Sequence, residues 1–250
     1  MTALLAALLG ACAGAIVGSY LATLVQRCER GESASSGRSR CDGCGRTLGP
    51  TELIPLVSAA LSRGRCRTCG VRIEALHWQV EAASALVGGV SLWLSPGPQG
   101  AALALFAWLL LPLGLLDWRN YWLPDRLTLL LAGVGMPLGS LLQIAGWTDR
   151  LVGGALGFMS LAALAWLYRR VRRREGLGGG DPKLLGAIGL WLGWAALPPV
   201  LLVAALLGLG AAIPGGLHAT RRMPFGTMLA AAAWLVAAVS VARGGSALTP

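Results

Sequence analysis

Two short stretches place acids where an apolar chain has little reason to keep them. In Leu116-Asp117-Trp118-Arg119-Asn120-Tyr121-Trp122-Leu123-Pro124-Asp125, Asp117 closes one apolar run. In Gly178-Gly179-Gly180-Asp181-Pro182-Lys183, Asp181 opens another. An ionisable group at the end of a membrane helix is costly and points to function. Two carboxyl groups brought into contact from separate helices cannot both ionise, so one keeps its proton near neutral pH. The ionised one takes a proton from water while the protonated one polarises a peptide carbonyl, giving hydrolysis without a covalent intermediate. Gly178 and Gly180 leave room for an extended substrate backbone beside the acid, and Lys183 is expected to help position that substrate. Plainer roles stay open. Asp181 followed by Pro182 is a good helix start, and Asp117 can pair with Arg119 or Arg126. Asp125 is expected to cap the helix after it, and Asp149-Arg150 to lie in an ordinary outer loop.

Four of the six cysteines form two CxxC pairs, Cys41-Asp42-Gly43-Cys44 and Cys66-Arg67-Thr68-Cys69, with 21 residues between them. Two such knuckles close a tetrahedral thiolate site at zinc-ribbon spacing, and four cysteine ligands leave no open position, so the zinc is expected to be structural. Gly45 and Gly70 suit the tight turn after each pair. Four unconnected thiols, or a redox pair, is the alternative. Cys12, within an apolar run, and Cys28, just outside it, have no partner at ligand spacing and are expected to pack. His77 and His218 stand alone, with surface or packing roles expected.

The elements that must position these residues are membrane helices. The chain has 250 residues, 55% hydrophobic and 13% charged, against about 25% charged in a soluble domain. Mean hydropathy is +0.65. This excludes a disordered chain and argues against an ordinary soluble enzyme. Crossing the hydrocarbon takes about 20 apolar residues as a helix. Eight segments qualify, some marginally: 3–26, 79–95, 100–116, 127–146, 151–168, 184–197, 199–214 and 227–242. The sixth and seventh meet at Pro198-Pro199 as a hairpin or a broken span. The Leu9-Gly10-Ala11-Cys12 stretch resembles a lipoprotein cleavage box, but no basic residue precedes the run and it continues to Val25, so a retained helix is expected. With the N-terminus outside, the inner side holds nine Arg from Arg27 to Arg72, Arg119, Arg126, Arg169, Arg170, Arg172–Arg174, Lys183, Arg221 and Arg222. Only Arg150 and Arg243 remain outside, an asymmetry that supports both the orientation and the eight crossings.

The expected architecture is therefore an all-α polytopic membrane protein of about eight transmembrane helices with a small cytoplasmic zinc-binding loop. Its parts are a first helix (1–26), the four-cysteine loop (27–80) and a transmembrane core (81–250). Three functions compete: a membrane aspartyl endopeptidase, a transporter relaying protons through its acids, and a zinc-ribbon adaptor for nucleic acid. Acids at the membrane edge rather than mid-span favour the first over a transporter. No base-reading element supports the third, so no nucleic-acid partner is expected.

These residues resemble the type IV prepilin peptidases of bacteria, within the GxGD group of membrane aspartyl proteases, over nearly the whole chain. Gly178-Gly179-Gly180-Asp181 matches the GxGD signature, and Pro182-Lys183-Leu184-Leu185 its usual continuation. Asp117 with Leu123-Pro124-Asp125 matches the first-aspartate segment, and the two CxxC pairs the zinc-binding loop. Leu53-Ile54-Pro55-Leu56-Val57-Ser58 and Arg72-Ile73 with Glu81 fit that loop's pattern. Gly18-Ser19-Tyr20-Leu21 matches the N-terminal segment and Met223-Pro224-Phe225-Gly226 the entry to the last helix. The resemblance implies cleavage of the basic leader of prepilins or type II secretion pseudopilins at the cytoplasmic face of the bacterial inner membrane, with Asp117 and Asp181 as the catalytic pair. It also implies N-methylation of the new terminus from S-adenosylmethionine in many members with the cysteine loop. This chain departs from the family at Ala22, where Asn is usual, and at Arg27-Cys28-Glu29, where Arg-Leu-Pro is usual. Those departures bear on the methyltransferase more than on the peptidase.

Overall fold

The computed structural model describes residues 2–33, 37–173, 178–213 and 223–244. Arg174, Arg221, Arg222 and His218 lie outside them. Among the described residues the elements are helices: α1 (Ala3–Glu29), α2 (Val57–Leu61), α3 (Ala75–Leu94), α4 (Pro98–Asn120), α5 (Asp125–Leu138), α6 (Trp147–Arg172), α7 (Asp181–Leu192), α8 (Leu197–Ala212) and α9 (Phe225–Ala242). Six stretches are long and apolar enough to cross a bilayer: Ala3–Glu29, Pro98–Asn120, Asp125–Leu142, Trp147–Arg172, Trp194–Ala212 and Phe225–Ala242. The expected eight are reached only by adding α3 and α7. At 12 residues α7 is too short to span alone. It is sheathed by its neighbours instead, with only Lys183 and Leu190 not buried.

Lipid offers no hydrophobic drive between helices, so small residues that let backbones approach decide the pairing. Gly10, Gly14 and Gly18, four apart on one face of α1, meet Gly88, Ser84 and Glu81 of α3. A methyl group on Gly14 would lie 2.1 Å from the Ser84 carbonyl oxygen. On the other side of the bundle Gly153 and Gly157 of α6 meet Gly189 and Leu185–Gly186 of α7 in the same way. Between these pairs lies the main core, where α4, α5, α7, α8 and α9 converge on Phe106, Leu113, Ile188 and Trp191. The Phe106 and Trp191 ring centroids are 4.9 Å apart. Trp191 Nε1 donates to the Leu131 carbonyl at 2.9 Å, so its one polar atom is paired inside the core.

Three expectations change here. The break between the sixth and seventh segments falls at Gly193, whose φ is +82°. Pro198-Pro199 instead lies in the first turn of α8, where missing N–H groups cost nothing. Asp149 and Arg150 are not in a loop, because α6 begins at Trp147. Arg150 is 2% exposed and donates to the carbonyls of Gly135, Met136 and Leu190. A guanidinium thus occupies the negative ends of α5 and α7, which is how a buried cation without a carboxylate is tolerated. Cys12 does not pack inward; it is exposed on the outer face of α1.

Candidate active site

Asp117 and Asp181 are buried at 6% and 5% exposure. Asp117 sits on the last turn of α4, which Tyr121 closes in the left-handed conformation (φ +53°) with its N–H bonded to the Asp117 carbonyl at 2.9 Å. The chain then turns through Leu123 and Pro124 into α5. Asp181 is the first residue of α7, after the Gly178–Gly180 loop. Leu123 joins the two places. A methyl group on Gly180 would lie 2.6 Å from Leu123 Cβ. One on Gly226, at the start of α9, would lie 2.9 Å from Leu123 Cδ1 and 3.1 Å from Asp117 Cγ. Leu123 thus stands beside Gly180, the neighbour of Asp181, and beside Gly226, which meets Asp117. Both glycines are therefore required by close approach, one beside each acid.

The partners of the acids decide among the roles left open by the sequence. Among the described residues Asp117 pairs with no arginine, and so with neither Arg119 nor Arg126. Its Oδ2 accepts the Thr227 N–H at 2.8 Å and lies 3.2 Å from the Thr227 hydroxyl, which is also 2.7 Å from the Gly114 carbonyl. Asp181 does not cap α7, because Gly180 occupies the cap position. Its Oδ2 accepts the Gly178 N–H at 3.1 Å, which ties the glycine loop back onto the acid. Asp125 is no cap either: Pro124 precedes α5, and Asp125 Oδ1 accepts from Lys183 Nζ at 2.7 Å. This pair is exposed and lines an apolar cavity of about 430 Å³ between α5, α6 and α7. Gly178, Gly180 and both aspartates are thus brought together, while Lys183 points away on the other side of α7. Thr227 is not among the residues that type and spacing single out. Its only sequence signal is its place directly after Pro224-Phe225-Gly226, in the first turn of a helix that has to meet α4.

Arg119, two residues beyond Asp117, faces the roots of the cysteine loop. It donates to Glu29 at 2.6 and 3.3 Å and pairs with Glu74 at 3.0 Å; Asn120 adds a bond to Glu29 at 2.9 Å. Gln26 donates to Glu74 at 2.8 Å and lies 3.2 Å from His77 Nε2, so His77 belongs to a network rather than standing alone. Gln26 first, and then Arg119, hold the Glu74 carboxyl below its usual range. This polar cluster joins α1, α3 and α4 at one end of the bundle.

The four paired cysteines form a compact set, with sulfurs all within 4.8 Å of one another and Cys41 Sγ 3.7 Å from Cys69 Sγ. A tetrahedral zinc with bonds of about 2.3 Å sets its sulfurs about 3.8 Å apart, so the set fits the metal. The two knuckles repeat one design. The Gly45 N–H bonds to the Cys41 carbonyl at 2.9 Å and the Gly70 N–H to the Cys66 carbonyl at 3.0 Å, with φ of +68° and +72°. The N–H groups of Cys69 and Thr68 draw the Cys66 thiol down to about 6, which favours the thiolate that a metal needs. Cys69 accepts the Val71 N–H, yet loss of solvation and proton sharing with its neighbours push it up to about 11. Nearby, Arg46 and then the Gly49 N–H hold Glu52 at about 2.

The model of the type IV leader peptidase family matches residues 104–213, and that of the bacterial peptidase A24 N-terminal domain matches residues 12–95. The chain is 38% identical to the prepilin leader peptidase/N-methyltransferase of Aeromonas hydrophila over 203 residues, covering 79% of this chain and 70% of that protein. It is 40% identical to the protein of the same name from Burkholderia pseudomallei (strain 1026b) over 200 residues, 78% of this chain and 64% of that one. With the Pseudomonas aeruginosa protein of that name the identity is 37% over 205 residues, 79% and 70% of the two chains. No solved structure gives a significant match. The first match spans the acid of α4 and the acid of α7, and the second spans all four ligand cysteines. By both halves the chain belongs to the type IV leader peptidase family.

Proposed function

We propose that the chain is a membrane aspartyl endopeptidase that cuts the basic leader from type IV prepilins or type II secretion pseudopilins, with Asp117 and Asp181 as the catalytic pair. The observation that supports this reading is the burial of two carboxyl groups, at the end of α4 and the start of α7, on segments that both pack on Leu123. Water held between them is activated by the ionised acid, while the protonated one donates to the scissile carbonyl. The roles follow from the donors. The Thr227 hydroxyl proton is taken by the Gly114 carbonyl, so Asp117 Oδ2 has the Thr227 N–H at 2.8 Å, a shorter backbone bond than the one to Asp181 and one that favours the carboxylate and hence the base. Asp181 receives one N–H from the glycine loop and serves as the acid. That loop, free of side chains, admits an extended peptide at Asp181. Lys183, bonded to Asp125, acts on substrate only after that pair opens.

The basic asymmetry of the loops supports an inner-membrane chain with this pocket facing the cytoplasm. It also supports the division into a first helix, a loop domain over 27–80 and a peptidase core over 81–250. The cysteine set is a structural zinc site. The relatives' names include N-methyltransferase, which supports methylation of the new N-terminus from S-adenosylmethionine as a second activity. The described residues include no strand, so none of them forms a strand–glycine turn–helix cradle for that donor.

The test is cleavage of a prepilin by purified wild type, Asp117→Asn and Asp181→Asn, with labelled S-adenosylmethionine present. Each variant is expected to lose about 10²–10⁴-fold in rate, as removing a general acid or base does, while keeping its metal content. Cleavage retained by both variants overturns the two-acid mechanism. A correctly cut product without label restricts the activity to the peptidase.

A further inference from the structure

Part of the cysteine loop has a feature that neither metal binding nor peptide cleavage uses. Leu53, Ile54, Val57 and Leu61 are exposed large apolar residues, Leu61 at 72%. They lie outside every apolar span, and nothing in α2 or in the 3₁₀ turn Pro50–Glu52 is buried. Val57 and Leu61, four residues apart, share one face of α2. In water such a cluster is an unpaired hydrophobic patch.

Its depth identifies what covers it. The Leu56 N–H donates at 2.8 Å to Glu81, whose carboxylate is buried in the second turn of α3. That bond pins Leu56, within the patch, to one level along α3. Trp78, Trp118, Tyr121 and Trp122 are exposed where α3 begins and α4 ends, as aromatic residues are at a membrane interface. Glu81 is three residues further into α3 than Trp78, and because a helical side chain leans back toward the N-terminus its carboxylate returns to about the level of Trp78. The patch therefore sits at about the level of the aromatic belt, the depth at which a bilayer has its headgroup boundary. Leu56 holds φ +61°, strained for a branched residue, so the Glu81 bond maintains this placement against a local cost. The following knuckle adds exposed arginines. Arg65 and Arg72 stand opposite each other in an antiparallel bridge, with Arg63 just before them, and no salt bridge to any of the three occurs among the described residues.

We propose that residues 53–61 form a membrane-surface anchor. The apolar side chains enter the leaflet bordering the cysteine loop, while Arg63, Arg65 and Arg72 engage its anionic phospholipid headgroups. Apolar side chains flanked by basic ones are the pattern of interfacial segments. The anchor holds the metal-bearing loop flat on the bilayer, beside the end of α4. The proposal does not depend on the peptidase reading.

The test places a photoreactive diazirine amino acid at position 57 or 61 of the full chain. The protein is reconstituted in nanodiscs of phosphatidylcholine with or without phosphatidylglycerol. Position 164, exposed on α6 within a span, serves as the lipid-facing reference. Lipid adducts at 57 and 61 approaching those at 164, and rising several-fold with phosphatidylglycerol, are expected. Adducts at the level of probe-free protein overturn the anchor, as do adducts formed with added prepilin in place of lipid. Yields indifferent to phosphatidylglycerol remove the headgroup half. Prepilin cleavage in the same discs reports on the peptidase reading separately, and zinc content confirms that each labelled loop is folded.

Discussion

The aspartate pocket and the cysteine loop place their functional atoms by opposite means. The pocket is built by helices whose positions are fixed elsewhere, by glycine contacts of α6 with α7 and by the core around Phe106 and Trp191. Its acids are oriented by backbone donors from α9 and from the glycine loop. The loop has almost no interior: between α1 and α3, Cys66 is the one buried hydrophobic residue among those described. What shapes it is two short turns and a sulfur cluster. A site inside a packed bundle is preorganised by its surroundings, whereas a site on a thin loop needs a cross-link such as the proposed zinc to organise it.

The sharpest way to break the contrast is to disturb the pocket by one methyl group. Gly226→Ala sets Cβ about 3 Å from both Asp117 and Leu123, closer than neighbouring atoms settle without moving. The bundle resists such movement because its core is close-packed, so the displacement falls on the Asp117 carboxyl. A displacement near 1 Å at a reacting group costs about 10² in rate. Prepilin cleavage is expected to fall by about that factor, with zinc content and helical circular dichroism unchanged. Cleavage within twofold of wild type means that the pocket is looser than its geometry implies.

Removing the metal tests the other half. A strong chelator, or Cys41→Ser with Cys66→Ser, should unfold the loop and leave the bundle intact. Limited trypsin digestion reads this directly, since the loop holds nine arginines between Arg27 and Arg72. Cutting within the loop is expected to become rapid while the membrane core persists. Cleavage of prepilin is expected to drop by about tenfold or less, because the metal supplies folding energy and no reacting group. A fall as deep as that of the aspartate variants would show that the loop belongs to the active site itself.

How much of this was legible in the sequence follows the same division. The clustering of the four cysteines was readable in the sequence, because residue type, spacing and the two trailing glycines are local facts. The two acids were readable as candidates, since charge is conspicuous in an apolar chain. What surrounds them was not. Thr227 lies 110 residues from Asp117, and Leu123 meets Gly180 and Gly226 only through the packing of separate helices. Arg150 looked like a loop cation because a charge beside an apolar run normally marks a boundary. In the fold it satisfies the carbonyl ends of two helices. About eight membrane helices are expected and eight long helices are described, yet one of them, α7, is too short to span alone. Periodicity cannot distinguish a span from a 12-residue helix buried on nearly every side.

Arg119 is where the two regions touch, and it carries the smallest predicted effect. It lies two residues from Asp117 and is held by Glu29 at the end of α1 and by Glu74 at the root of the loop. The arginine is about a third exposed. Pairs of that kind contribute about 0.5–1 kcal/mol, or about two- to fivefold in a rate. If the pair only fastens the loop, Arg119→Ala speeds trypsin cutting and leaves kcat alone. If it also holds the last turn of α4, kcat for prepilin falls by two- to fivefold at unchanged KM, because the bound substrate meets a less ordered Asp117. Arg119→Lys should recover part of the loss, and the exchange Glu29→Arg with Arg119→Glu should recover more than either change alone. We expect the kcat effect, since Tyr121 closes α4 directly on the Asp117 carbonyl and Asn120 shares the Glu29 contact. Unchanged kcat in Arg119→Ala would separate the two regions completely and leave the loop as an attachment to a self-sufficient pocket.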